Sequence, residues 1–454
     1  MNILFIVHRI PYPPNKGDKI RSFNEIKFLS KEHNLYLAFL VDDKRDVAYI
    51  DVLNKYCKGF DYDVINPLWQ RIKSIPYLLT RRPLSVPYFY SVRLQGAIDR
   101  RLKESQIDTI ICFSSPMAEY VFKSRAFGVQ NVRSFEDVKV VSNGRSDRMS
   151  RAIKQIEQFS RAKQLNNSNK SNIGYPNLIM DFVDVDSDKW RIYEGFSSFP
   201  FSVIYRREWK RLMNYEQRIG HIFDWNIFVS EKEVDLFKSF CPEANAISIT
   251  NGVDFDFHEE VQSVRDVQID QAKRSNNSNI PNILFMGAMD YLPNEDAVLY
   301  FTAEIWPYVK EELPTARFYV VGGKPSRKVI ILSEKDPNIV VTGYVPDVRP
   351  YLKMADVFVV PLRVARGIQN KVLEAMAAGV PVVARSEAVQ GLGSLNGCIM
   401  VEDDERRFAL SIRKVLHVSL KRGQMVADSK RFILKNHNWQ ENLSKLEELL
   451  HKEV

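Results

Sequence analysis

The feature that most constrains the fold is an alternation of short apolar runs with helical patterns, which occurs twice along the chain. The runs have the length and the Val, Ile and Phe content of buried parallel strands, and helical patterns such as Lys19–Lys31 and Ser91–Lys103 separate them. In the first half the runs are Ile3–Val7, Leu35–Val41, Ile107–Phe113, Leu178–Val183 and Ile227–Val229. In the second half they are Ile283–Met286, Arg317–Val321, Ile339–Val341, Val357–Val360, Pro381–Ala384 and Cys398–Val401. The sequence therefore predicts an α/β protein with two doubly wound domains.

The length supports two domains, because a chain of 454 residues is longer than a domain with a single hydrophobic core usually is. We predict an N-terminal domain over 1–250, a linker over 251–281, a C-terminal domain over 282–435 and a last helix over 436–454. The linker starts with the turn dipeptide Asn251-Gly252 and continues without clear periodicity. An Asn- and Ser-rich tract indicates that residues 131–175 are an insertion, partly mobile.

One segment of the second domain predicts an anion site. The apolar run Asp356–Leu362 leads into a polar loop, a helix over Lys371–Ala378, a C-cap at Gly379 and a new strand. Unpaired N–H groups and the helix dipole point outward at such a helix start, where they favour negative charge. Three cations surround this point: Arg363, Arg366 and Lys371. We expect the loop to suit a diphosphate.

Composition and charge limit the classes of ligand and the cell compartment that fit this chain. A net charge of +8 favours anionic ligands, but the absence of a long basic run argues against nucleic acid. The four cysteines are far apart, which favours neither a zinc site nor a disulfide framework. The first residues lack the pattern of a signal peptide, and no window reaches the roughly 18 uncharged apolar residues of a membrane span. We therefore expect a cytoplasmic protein.

Two segments mix basic and bulky apolar residues, Trp69–Pro83 and Phe196–Trp209. Such segments seat on anionic lipid headgroups, so we expect peripheral association at the inner face of the plasma membrane. The alternative is a lid or an interdomain surface.

Three motifs carry a family resemblance: PYPPNKGDKIR at residues 11–21, MDFVDVDSDKW at 180–190 with FVSE at 228–231, and GIQNKVLEAM at 367–376. Apart from 131–175 and part of the linker, the chain resembles the retaining GT-B glycosyltransferases of family 4. It is most similar to the sugar transferases of bacterial exopolysaccharide and PEP-CTERM/exosortase gene clusters. The resemblance implies two Rossmann-like domains facing a cleft, with the last helix returning toward the first domain.

The resemblance also implies a function. Such an enzyme moves a sugar from a nucleotide-diphosphate sugar to a saccharide or lipid-linked acceptor. The nucleotide sugar is a co-substrate, and we expect neither a bound cofactor nor a metal, because the cations near Lys371 neutralise the phosphates.

The motifs assign roles to particular residues. Gly17 starts a helix after the first strand and lets the backbone approach a ligand, with Asp18, Lys19 and Arg21 on the acceptor side. Glu374 matches the second glutamate of the E-x7-E motif and is expected at the ribose. The other donor contacts implied are Gly287, Asn294, Gly343, Tyr344, Val345, Arg366, Gly367, Gln369 and Asn370.

The chain departs from the family at two points. Family members often carry Arg and Lys after the glycine that matches Gly287, whereas this chain has Met289 and Asp290. Phosphate neutralisation is then left to Arg363 and Lys371. The first motif glutamate falls at Arg366, which cannot accept a hydrogen bond or act as a base. We expect Gln369 or Asn370 to substitute for it.

The candidate mechanism follows from these residues. Without an obvious carboxylate nucleophile, the leaving diphosphate itself deprotonates the incoming hydroxyl, and Arg363 and Lys371 stabilise its charge. Asp184, near the end of a predicted strand, accepts a hydrogen bond from the acceptor or orients a basic group. The aspartates around it, Asp181, Asp186 and Asp188, leave a metal site or a capped turn as alternatives.

Two other functions remain open. A catalytically inactive nucleotide-sugar-binding or assembly protein would be consistent with Arg366 at the motif position. A sugar-nucleotide epimerase would need carboxylates and histidines around the sugar, and His8 is the only early histidine near a strand end.

Overall fold

The computed structural model describes residues 1–127, 176–254, 280–395 and 397–451. The chain forms two compact units: unit 1 is Met1–Ile249 with Leu443–Val454, and unit 2 is Thr250–Asn442. The predicted insertion at 131–175 and most of the predicted linker lie outside the described residues.

Unit 1 is built on a seven-stranded sheet in which every neighbouring pair is parallel. The strand order is β3-β2-β1-β4-β5-β6-β7. The central strands are buried on both faces, which explains their uninterrupted apolar sequences. The strands are β1 (Asn2–Val7), β2 (Asn34–Val41), β3 (Gly59–Val64), β4 (Thr109–Phe113), β5 (Asn177–Val183), β6 (Trp225–Phe228) and β7 (Ala246–Ser248).

Helices cover this sheet, and several begin at side-chain caps. Ser91 and Ser230 each accept a hydrogen bond from the backbone N–H three residues on. The α-helices are α1 (Gly17–Leu29), α2 (Pro67–Ser74), α3 (Ser85–Tyr88), α4 (Val92–Glu104), α5 (Ala118–Lys123), α6 (Asp186–Gly195), α7 (Phe201–Ile222) and α8 (Glu231–Phe240). Short 3-10 segments cover Lys44–Lys55, Ile75–Leu79, Ser115–Met117 and Arg125–Phe127.

Unit 2 repeats the pattern with a six-stranded parallel sheet of order β10-β9-β8-β11-β12-β13. Its strands are β8 (Asn282–Met286), β9 (Arg317–Val321), β10 (Ile339–Gly343), β11 (Val357–Val360), β12 (Val382–Ala384) and β13 (Met400–Val401). Its helices are α9 (Leu292–Tyr300), a π-helical turn (Phe301–Ile305), α10 (Trp306–Glu312), α11 (Arg327–Lys335), α12 (Arg349–Met354), α13 (Asn370–Ala377), α14 (Ser386–Val389), α15 (Glu405–His417) and α16 (Ser419–Asn436).

The last helix, α17 (Trp439–His451), begins in unit 2 and ends in unit 1. In unit 1, Glu447 lies 2.9 Å from the Nε2 of His33, and the carbonyl of Leu449 accepts a hydrogen bond from Asn177. In unit 2, Val253 forms a parallel bridge with Asn438, just before the helix.

The α/β prediction is confirmed, since both units are parallel sheets covered by helices. Two edge strands, β3 and β7, were missed. Each sheet reverses its strand order at one point, between β1 and β4 and between β8 and β11. In open α/β sheets, ligands bind outside the carboxyl ends of the strands at such a point. No helix within the described residues is long and apolar enough to cross a membrane.

Candidate functional site

Most predicted donor residues of unit 2 lie at its reversal point, whereas those at 343–345 lie at the end of the edge strand β10. Strand β8 ends at Met286 and is followed by Gly287, while the neighbouring β11 ends at Val360 and leads through the 361–369 loop into α13. The loops after β8 and β11 therefore border the position where a parallel sheet of this order binds its ligand.

Lys371 is held at this point by Asn294. Its ammonium donates a hydrogen bond to the Oδ1 of Asn294 and lies 4.6 Å from the ring centroid of Phe285. The Nδ2 of Asn294 donates to the carbonyl of Ala288 at 2.9 Å, which orients the amide. A Cβ on Gly287 would lie 2.6 Å from that Nδ2 and 3.0 Å from the Lys371 ammonium. Gly287 is thus required for the close approach of the two side chains.

Glu374 follows Lys371 by one helical turn on α13, and both side chains are half-buried. Burial lowers the pKa of Lys371 to about 7, although the nearby Glu374 charge opposes this. Burial likewise raises the pKa of Glu374 to about 7, against the effect of Lys371. Among the described residues, no protein group donates a hydrogen bond to the Glu374 carboxylate. Both groups therefore titrate near neutral pH and can respond to a ligand's charge.

The loop before α13 is fixed by backbone contacts. Gly367 has a φ of +56°, and a Cβ on Gly391 would lie 2.4 Å from the Gly367 carbonyl oxygen. Gln369 turns its amide back onto the carbonyl of Arg366 at 2.8 Å. The side-chain oxygen of Asn370 accepts a hydrogen bond from Asn251 at 2.9 Å. Arg366, Gly367, Gln369 and Asn370 keep their assignment as predicted donor contacts.

Arg363 occupies a different environment from Lys371. Its guanidinium makes a two-point ion pair with Asp296 and lies 4.7 Å from the ring centroid of Tyr300. The hydrogen bond with Asp296 raises the pKa of Arg363. The Arg363 guanidinium is thus bound to the Asp296 carboxylate in this structure. To contact a diphosphate, Arg363 must first release Asp296. No feature of the sequence pointed to Asp296 as the partner of Arg363.

The predicted base-binding residues lie at the end of β10. Gly343 has a φ of +70°, and the Tyr344 side chain is largely exposed and packs beside Gly323. Val345 is half-buried against the unit 2 core. At the end of β9, a Cβ on Gly322 would lie 1.8 Å from the Gly287 carbonyl oxygen. The turns after β8 and β9 therefore touch backbone to backbone.

The predicted site residues in helix α1 of unit 1 are the donor contact Gly17 and the acceptor-side residues Asp18, Lys19 and Arg21. Gly17 is exposed as the first residue of α1, and Asp18 beside it contacts His8 and Arg9 at 3.0 and 2.9 Å. Burial opposes ionisation of Asp18, but its hydrogen bond with His8 and its ion pair with Arg9 lower its pKa. Gly17 and Asp18 stay predictions.

Two of these predictions need correction. Lys19 is buried and ion-paired with Asp46 at 2.6 Å. Arg21 is fully buried, where it binds Asp181 at 2.8 Å and the carbonyl of Ile249 at 2.7 Å. Lys19 and Arg21 therefore stabilise unit 1 instead of contacting an acceptor, because their charged groups are paired and out of reach of solvent.

Asp184 follows a strained residue at the end of β5. The preceding Val183 has a φ of +68°, which is rare for a β-branched residue. Asp184 is half-buried, and its role in the reaction stays a prediction. Asp186 begins α6 and accepts a hydrogen bond from Ser115, while Asp188 pairs with Arg191. Among the described residues, no cluster of His, Cys, Asp or Glu is arranged to hold a metal ion.

Sequence reasoning missed Asn251 as a neighbour of the donor helix. The Asn-Gly dipeptide predicts a turn, but its backbone is buried against the start of α17. The carbonyl of Asn251 accepts from His437 at 2.7 Å, and a Cβ on Gly252 would lie 2.5 Å from the Trp439 nitrogen. No sequence signal distinguished this packing from a turn.

Comparisons with known proteins support the fold and the class of enzyme. Residues 280–417 match the family described as "Glycosyl transferases group 1". No protein with a curated description matches the chain. Among solved structures, the chain is similar to sucrose-phosphate synthase from Thermosynechococcus elongatus, with 14% identity, a TM-score of 0.64, and 99% of this chain and 98% of the other covered.

Two further structures show the same fold. HepE from Anabaena, solved in complex with UDP, has 12% identity and a TM-score of 0.60, with 99% of each chain covered. WaaG, described as a glycosyltransferase of lipopolysaccharide biosynthesis, has 14% identity and a TM-score of 0.58, with 99% of this chain and 100% of WaaG covered. The chain therefore has the GT-B fold, and residues 280–417 match the glycosyl transferases group 1 family, which together support a glycosyltransferase enzyme.

Proposed function

We propose that this protein is a retaining glycosyltransferase of family 4 that acts in the bacterial cytoplasm. It moves a sugar from a nucleotide-diphosphate sugar to a saccharide or lipid-linked acceptor in the synthesis of exopolysaccharide or a related glycoconjugate. One observation carries the proposal: the Lys371 ammonium lies where the strand order of unit 2 reverses. Asn294 binds this ammonium next to Gly287, and Glu374 lies one helical turn further along α13.

A nucleotide-diphosphate donor fits this set of groups. Lys371 supplies a cation and the start of α13 supplies N–H groups for the diphosphate. The Glu374 carboxylate, which no described protein group occupies, suits the two hydroxyls of a ribose. HepE, which shares the fold, has been solved with UDP and with UDP-glucose, and this supports the same donor class here.

The reaction needs no covalent intermediate on the protein. The bond between the anomeric carbon and the diphosphate oxygen breaks, and a bond to the acceptor oxygen forms on the same face of the sugar. The acceptor proton passes to the departing diphosphate. Lys371 stabilises the charge that develops on that leaving group, and Arg363 joins it after releasing Asp296. Asp184 in unit 1 is the proposed hydrogen-bond acceptor for the incoming hydroxyl.

A screen of UDP-, GDP-, ADP- and dTDP-sugars, with and without saccharide or polyprenyl-phosphate acceptors, tests the proposal. Lys371→Ala should lower kcat about 10²-fold or more, as loss of a charge-stabilising group at a leaving atom does. The matched control is Lys335→Ala, an exposed lysine at the end of α11, which should leave kcat unchanged. Normal turnover by Lys371→Ala would contradict the assignment.

A second function has one observation in its favour. Arg366 occupies the position of the first motif glutamate, so the protein could bind a nucleotide sugar without transferring it. Tight donor binding with no turnover or hydrolysis for any donor in the screen would select this alternative.

A further inference from the structure

Helix α2 of unit 1 exposes its large apolar side chains to solvent. Asn66 caps this helix through its side chain, and Pro67 occupies its first position, so the helix is well formed. Leu68, Trp69, Ile72 and Ile75 are all exposed, and Leu79 in the following 3-10 segment is 94% exposed. A monomeric protein rarely presents so many bulky apolar groups together without a partner.

A second exposed apolar segment joins α6 to α7. Phe199 is 82% exposed, and Phe196, Phe201 and Val203 are each more than half exposed. Aromatic rings in a connection of this kind normally pack inward, because each buries a large apolar area. The rings of Phe196, Phe199 and Phe201 instead expose this apolar area to solvent.

The two segments belong to one surface of unit 1. Arg207 of α7 donates hydrogen bonds to the carbonyls of Tyr77, Thr80 and Arg82. Val203 lies one helical turn before Arg207, on the same face of α7. Leu79 lies between the carbonyls that Arg207 binds. We call this surface, made of Leu68, Trp69, Ile72, Ile75, Leu79, Phe196, Phe199, Phe201 and Val203, the apolar shelf.

The charges next to the apolar shelf are mostly positive, although Glu194, just before the second segment, forms an ion pair with Arg206. Residues 67–82 contain four Arg or Lys residues and no Asp or Glu. Residues 196–211 contain four Arg or Lys residues and one acid, Glu208, which is buried. Positive side chains around protruding Trp, Phe and Leu residues complement anionic lipid headgroups above an apolar layer.

We propose that the apolar shelf docks unit 1 on an anionic lipid bilayer. Trp69, Leu79 and Phe199 enter the boundary between headgroups and acyl chains, and basic residues such as Arg71 bind lipid phosphates. A bilayer fits better than a protein partner, because strongly protruding side chains need matching pockets on a protein but none in a fluid layer. The inference does not depend on the proposed reaction, since docking requires neither donor nor acceptor.

Vesicle flotation of the full-length chain tests the inference. The protein should float with phosphatidylcholine vesicles that contain about 30% phosphatidylglycerol, at least tenfold more than with phosphatidylcholine alone, and less at high salt. Substituting Trp69, Leu79 and Phe199 together by Ser should reduce flotation at least tenfold. Arg71→Gln should weaken flotation and its dependence on salt.

The matched control replaces Val92 and Leu420, which are exposed apolar residues outside the shelf, by Ser. This variant should float like the wild type, and thermal unfolding should show that all variants remain folded. Failure of the wild type to float, or unchanged flotation of the triple Ser variant, would overturn the inference. Concentration-dependent dimerisation that only the triple variant loses, with flotation unchanged, would instead make the shelf an interface between copies.

Discussion

At the scale of single residues, the titration of Lys371 and Glu374 near pH 7 predicts a pH-dependent donor affinity. Below pH 7 the lysine is charged and the glutamate is neutral, so the pair carries a net positive charge. Above pH 7 both lose their protons and the pair becomes negative. A nucleotide-diphosphate sugar has no group that titrates in this range, so its affinity should fall as pH rises, by up to about tenfold per unit.

Isothermal titration calorimetry in buffers of different ionisation enthalpy measures the proton uptake. The wild type should take up close to one proton per donor bound at pH 8. Lys371→Arg keeps a charge that does not titrate, so its uptake should be much smaller. Equal uptake in both proteins would show that Lys371 is already charged without a ligand.

The positions of the candidate site residues were predictable from local sequence, but the partners of their side chains were not. The cations and Glu374 around the start of α13 followed from one continuous segment. The partner of Arg363 is Asp296 and that of Arg21 is Asp181, both distant in sequence, and only the folded sheet brings them together. The local sequence around an Arg in a predicted loop does not show whether its side chain binds a ligand or a buried carboxylate.

At the scale of elements, the start of the donor helix α13 is tied to the segment that enters unit 2. Asn251→Ala removes the 2.9 Å hydrogen bond to Asn370. The contacts of His437 and Asn442 with Asn251 remain, because they go to its backbone carbonyl. We expect donor affinity to fall by about fivefold, which corresponds to the loss of one hydrogen bond of about 1 kcal/mol.

The control for this variant is Asn436→Ala, which also removes an amide, one that donates to the carbonyl of Phe432 within its own helix. Its donor Kd should match that of the wild type. If both variants bind the donor normally, Asn251 has no part in positioning α13.

The central strands were predictable from the sequence, but the two edge strands of unit 1 were not. Strands such as β1 and β11 are buried on both faces and show uninterrupted apolar runs. The missed strand β3 lies at the edge of its sheet, so its sequence Gly59–Val64 includes two aspartates and is mostly half-buried or exposed. The missed β7, at the other edge, has only three residues. Edge strands need fewer apolar residues, and their sequence signal is correspondingly weak.

At the scale of the whole molecule, the two-unit plan followed from the repeated alternation, but the acids inside unit 1 did not. Glu216 is fully buried, and its two oxygens contact the N–H and hydroxyl of Ser187. Burial, with the nearby charge of Asp186, raises the pKa of Glu216 to about 8. A glutamate in the middle of α7 looks like a surface residue in the sequence, because its burial depends on how the helix packs.

This buried acid predicts that stability falls as the solution becomes alkaline. The folded pKa of Glu216 lies above the unfolded value, so its stabilising contribution is complete at low pH and is lost as pH rises through about 8. The loss between pH 6 and pH 8 should be about 2 kcal/mol. Glu216→Gln keeps a neutral group of the same shape, which can donate to the Ser187 hydroxyl. It should therefore lose less stability than the wild type between pH 6 and pH 8.

Thermal unfolding of the full chain at pH 6, 7 and 8 measures this difference. The matched control is Glu448→Gln, an exposed glutamate on α17, which should keep the wild-type pH dependence. Burial also raises the pKa of other acids of unit 1, such as Glu25. Part of the wild-type dependence of unfolding temperature on pH should therefore persist in Glu216→Gln. An unchanged slope in Glu216→Gln would mean that Glu216 is ionised in the folded protein. The Ser187 hydroxyl would then donate to a buried carboxylate, instead of accepting the carboxyl proton.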